Sequence, residues 1–194
     1  HVGSLGVERF MKHYFLVAKD VGDLTRIFCA ALEAERKSTL RLTWGRFSLR
    51  GKIPEGFKLE GSWLTVDKSD VFVQDPVNLI RLFHLAQQFK MDVHPVALRK
   101  VTRKLGLIDS KLRENLQANT LFVEILTSKN TPDIALTRLN EAGVMGRFVP
   151  DFGRVVAQMQ HDLYHVYTVD EHSIRAIGIL SRIEMGELKE DHPL

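Results

Sequence analysis

Asp75-Pro-Val-Asn-Leu-Ile-Arg-Leu-Phe-His-Leu-Ala-Gln-Gln-Phe89 is the stretch on which the fold turns. Asp75 is suited to cap a helix, and Pro76 to occupy its first position, where no amide donor is needed. Leu79, Ile80, Leu82, Phe83, Ala86 and Phe89 then recur at helical spacing, a stripe wide enough to be buried. Working outward, the same grammar repeats. His94-Pro95 opens a helix with Leu98, Val101 and Leu105 inward, and Gly106 closes it. Helical runs follow at about 108–117 and 120–127. Thr131-Pro132-Asp133 caps another helix, which ends at Gly143, and one more follows Pro150. Thr168-Val-Asp-Glu171 has the spacing of a capping box, with Ile174, Ile177 and Leu180 inward behind it.

Upstream, residues 5–35 read as one long helix whose apolar positions run from Phe10 to Leu32, with Gly22 as a point of bending or breakage. Cys29, beside Phe28, is expected to be a small buried hydrophobe. Between the helical regions, residues 39–73 change character. Phe57-Lys-Leu59, then Glu60-Gly-Ser62, then Trp63-Leu-Thr-Val66 spell a hairpin. The expected class is mainly α, a multi-helix bundle with a small β-hairpin insertion near residues 39–73.

Composition agrees with a globular chain. Of 194 residues, 44% are hydrophobic and 26% charged, and the formal net charge is +3. A single cysteine excludes a disulfide scaffold and suits a reducing cytoplasm. No apolar run is long enough to span a membrane. The charge is too small to argue for nucleic acid.

Three motifs tempt. Gly45-Arg-Phe-Ser-Leu-Arg-Gly51-Lys52 imitates a phosphate loop, but it has five residues between the glycines and Ile53 where a hydroxyl is needed. His161-Asp-Leu-Tyr-His165 puts two imidazoles at i and i+4, but Asp162 is one methylene shorter than the glutamate of a zinc protease, and no third ligand follows. His172 stands in the first turn of the capped helix; by spacing alone it is a helix-start histidine bonded to a neighbour.

Two groups of residues carry a family resemblance. One is Asp75–Phe83 followed by His94-Pro95. The other is Leu139–Gly146, Phe148–Phe152, Met159-Gln160 and, most specific, Tyr164-His-Val-Tyr-Thr-Val-Asp-Glu-His-Ser173. Together they resemble the bacterial bifunctional PII uridylyltransferases and uridylyl-removing enzymes. The resemblance runs from about Val7 to Leu194 and is loose over Leu40–Val73. It implies that residues 1–160 are the central helical region behind a nucleotidyltransferase domain, and that 161–194 begin an HD-type phosphohydrolase domain. It implies a parent enzyme that moves UMP from UTP to a tyrosine of the signal protein PII with Mg²⁺ and hydrolyses it off again. Glutamine would act through ACT domains outside this chain.

The paired acidic nucleotidyltransferase motif and the HD dipeptide are absent from these residues. His161-Asp162 lies on the wrong side of the first ligand histidine. The resemblance carries over one site residue, His172, as the first metal ligand of an incomplete HD set, with His165 as a weaker second candidate. It leaves no complete catalytic site in this chain, which by itself should be inactive. Arg41, Arg46, Arg50 and Lys52 are candidates to face nucleotide or partner phosphates. Two rival readings are a helical scaffold or interaction module without activity, and an RNA-binding tail of a tRNA nucleotidyltransferase-like enzyme, against which the weak charge argues.

Overall fold

The computed structural model describes residues 2–37, 53–68, 70–156 and 168–188. In chain order these form α1 (Val2–Lys37), β1 (Phe57–Glu60), β2 (Trp63–Val66), α2 (Val71–Gln74), α3 (Asn78–Gln88), β3 (Asp92–Val93) and α4 (Pro95–Arg103). A 3₁₀ turn at Leu105–Leu107 leads to α5 (Ser110–Glu114), α6 (Leu116–Leu126), α7 (Pro132–Glu141), α8 (Val144–Phe148), α9 (Pro150–Val155) and α10 (Val169–Glu184). The molecule is mainly α with a small sheet, as the apolar periodicity predicts.

The expected hairpin is present, with Phe57 opposite Val66 and Glu60 opposite Trp63. Gly61 turns the chain at φ +57°, a conformation that costs glycine little. β3, which the sequence reading lacks, pairs parallel with β2 through Leu64 and Val93. The sheet therefore rests against the two helices that flank β3, α3 and α4.

α3 is the hub. Leu79, Ile80, Leu82 and Phe83 are essentially inaccessible and pack with Leu64, Phe72, Val101, Ile125, Leu136, Leu139 and Val144. Burying each such side chain contributes roughly 1.5–3 kcal/mol. Polar groups on the same helix are matched rather than excluded. Asn78 donates to the Val71 carbonyl at 3.0 Å, tying α2 to α3. Gln87 donates to the Ile125 carbonyl at 3.2 Å, tying α3 to the last turn of α6. His84 Nε2 lies 2.7 Å from Glu124 of α6.

Several ends differ from the sequence reading. α3 begins at Asn78, because Asp75 closes α2 and its carboxylate accepts from the Val77 amide at 3.1 Å. α4 stops at Arg103, and Gly106 falls inside the 3₁₀ turn. Asp109 and Asn115 cap α5 and α6 with side-chain acceptors at 2.9 and 3.0 Å, so the break between the two helices falls at Asn115. Thr131 and Thr168 stand at helix starts as expected, but neither makes a side-chain cap bond. α8 is an additional short helix. It is set off from α7 by Gly143 at φ +74° and packs on α9 at glycines, where a Cβ on Gly153 would overlap the Gly146 carbonyl. α1 runs through Gly22 without interruption. Cys29 is exposed, contrary to expectation, and so is Leu180. The phosphate-loop imitation, Arg41, Arg46, Arg50, Lys52, and the His161–His165 pair lie outside the described residues.

Candidate functional site

α10 carries His172, and α7 holds α10 in place. At one end Asn140 of α7 donates to the Asp170 carboxylate at 2.8 Å, with both residues buried. At the other, Gly178 sits so close to Asp133 that a Cβ there would lie 2.8 Å from the aspartate side chain. The helices run antiparallel with a contact at each end. Sequence reasoning assigned Asp170 to the positive end of the helix dipole. The structure adds a buried partner thirty residues away, which no local pattern encodes.

His172 lies on the opposite side of that first turn. Its amide donates to the Thr168 carbonyl at 2.9 Å, and its side chain is exposed. Ser173 donates to the Val169 carbonyl at 2.7 Å, one turn back along the helix. The imidazole is thus presented outward from a fixed base. Among the described residues, no three His, Cys, Asp or Glu side chains converge as a metal site. His165, the second candidate, is outside the described residues.

A separate open cleft of about 650 Å³ lies between α3, α7 and α10, with His172 outside it. Lys90, Lys129, Arg138 and Arg182 line it together with Asp92, Asp133 and Glu187. Arg138 is paired with Asp92 at 3.0 Å, and the four cations of the lining face three carboxylates.

A second histidine departs from ordinary behaviour. His94 caps α4 with its ring: Nδ1 accepts from the Val96 amide at 3.1 Å, which places the neutral ring's proton on Nε2, 3.9 Å from Glu60. Trp63 packs edge-on against it at 6.0 Å. Burial holds its pKa below the usual histidine value; the nearby Arg99 and Lys58 push the same way, and Glu60 opposes them. Lys58, 2.7 Å from Glu60, in turn holds that carboxyl low.

A depressed histidine pKa means that the unfolded chain binds the extra proton first. Stability is then full above about pH 6.5 and falls as acid is added through that value. Protonated Nδ1 also ceases to accept from Val96, a cap worth about 1 kcal/mol. Urea melts at pH 7.5 and 5.5 should show that loss. His94→Asn, which retains a capping acceptor, should remove most of the histidine-dependent component. An unchanged pH dependence in that variant would refute the assignment.

The comparisons fit this layout. Residues 57–148 match the family described as uridylyltransferase GlnD third domain. That span starts at the first residue of β1 and stops at the last of α8. A bifunctional uridylyltransferase/uridylyl-removing enzyme from Azospirillum brasilense is 59% identical over the whole chain, and the chain spans 21% of that relative's length. No solved structure matches. No described helix is long and apolar enough to cross a membrane. The chain belongs to the bifunctional uridylyltransferase/uridylyl-removing enzyme family, and its β1–α8 body matches that family's third domain.

Proposed function

We propose that these residues link the two catalytic parts of a nitrogen-regulatory enzyme that transfers UMP from UTP to a tyrosine of PII and hydrolyses uridylyl-PII back. The observation that carries this reading is the 59% identity extending over every part of the chain, α10 included. In this reading, residues 1–160 brace the nucleotidyltransferase domain, and 161–194 open the HD-type domain. The PII protein is the macromolecular partner, glutamine the effector, and the cytoplasm the compartment. His172 supplies one imidazole to a divalent metal site whose remaining ligands lie outside the described residues. A metal bound there would supply Lewis acidity and an activated water for phosphodiester hydrolysis. The part played by this chain is to hold His172 on a helix start that the Asn140–Asp170 bond and the Gly178–Asp133 contact keep from shifting.

The full-length protein, given UTP, Mg²⁺ and PII, should produce uridylyl-PII and later remove the UMP. The 194-residue chain under the same conditions should produce none. Turnover by the isolated chain, or the absence of both activities in the full-length protein, would overturn the reading.

A further inference from the structure

Along α1, Val7, Phe10, Tyr14, Val17, Val21, Leu24 and Phe28 step alternately by three and four residues. This is a heptad period sustained over three repeats. All seven are exposed, Phe10 at 66% and Leu24 at 67%. The helix meets the rest of the molecule on another side, where Met11, Lys12 and Phe15 are half-buried, Lys12 reaches the Arg154 carbonyl, and α4 lies alongside. The open stripe presents on the order of 800 Å², as much as one partner contributes to a stable protein interface. Soluble monomers rarely leave that much contiguous apolar surface uncovered.

The period defines what covers it. A 3.5-residue repeat stays in register only with another α-helix crossing at a shallow angle. The flanks narrow the choice further. A two-stranded pair of identical helices is specified by charged residues beside the seam. With Val7 as the first seam position, the flanking positions are Met11, His13, Ala18, Asp20, Thr25, Ile27 and Leu32, of which only Asp20 carries a full charge. A single charge along these flanks gives no paired pattern by which an identical helix would be selected.

We propose that this face of α1 docks on an amphipathic α-helix with a matching three-four apolar repeat, supplied by the part of the same full-length polypeptide outside these 194 residues. The proposal rests on the reading above, in which the chain is a segment of a longer enzyme; its Azospirillum relative has 79% of its length outside the match, being covered to 21%.

The test is photo-crosslinking in the full-length protein, with benzoylphenylalanine in place of Phe28 or, separately, Tyr14, and mass-spectrometric mapping of the products. The dominant crosslink should join α1 to one amphipathic segment beyond the 194 residues, within a single polypeptide, and Leu24→Glu should cut its yield at least ten-fold. Crosslinks to a second copy, to residues inside this chain only, or no protein crosslink at all would each overturn the proposal. Normal uridylyl transfer and removal without this crosslink would count against the docking alone. The crosslink in a protein devoid of both activities would count against the functional reading alone.

Discussion

On the proposed function, His172→Ala in the full-length protein should slow removal of UMP from uridylyl-PII by about 100-fold or more and leave uridylyl transfer within about two-fold. The asymmetry follows from where the residue sits. Its side chain is exposed on the first turn of α10, on the side opposite Asp170, whose buried contact with Asn140 holds the helix to α7. An imidazole offered on a rigid helix start is suited to ligation, and loss of one ligand weakens both metal affinity and water activation. Glu171→Ala is the matched control. It alters the neighbouring exposed residue and should leave both rates within about two-fold. Separate assays of transfer and removal read the result; unchanged removal in His172→Ala would sink the ligand role.

Phe83→Ala lowers the stability of the protein by about 3–5 kcal/mol. Phe83 is 1% exposed at the centre of α3, the helix that meets β2, β3, α2, α6 and α7. Removing the ring forfeits its transfer energy and leaves a gap in the packing of α3 against its neighbours. For a chain of this size the change corresponds to a fall in melting temperature of roughly 6–20 °C. Phe83→Leu, which keeps most of the volume, should cost about 1 kcal/mol. Chemical denaturation distinguishes the two. A loss below about 1 kcal/mol for the alanine variant would show that α3 is not the hub of the core.

The legible part of the fold was the part whose pattern is local. The stripe on α3 and the starts of α4, α7 and α10 follow from apolar spacing and from Pro95, Pro132 and the Thr168 position. β3 was not legible because two residues, Asp92 and Val93, have no periodicity; they become a strand only by pairing with β2. α8 was hidden by its length of five residues and by Gly146 inside it, a poor helix former. On α10, Leu180 looks as apolar as Ile174, yet Asp170, Ile174 and Gly178 are the buried positions and Leu180 lies about 120° around the helix from Ile174. Cys29 misled for the same reason: a helical stripe shows that a face is apolar, not that the same chain covers it. At the candidate site, His172 came from the likeness of Tyr164–Ser173 to a family, whereas its anchoring by Asn140 needed the three-dimensional structure.

The contact between Gly146 and Gly153 has a consequence for how this sequence can change over time. Most tight packing in proteins is negotiable, since a larger side chain on one element can be answered by a smaller one opposite. Here the carbonyl of Gly146 faces the α-carbon of Gly153, and neither residue has a side chain to trim. A side chain on Gly153 would run into the Gly146 carbonyl, which no substitution can trim, so position 153 is closed to change, whereas a Cβ on Gly146 would lie 3.1 Å from the Gly153 α-carbon and asks only a small shift of its neighbour.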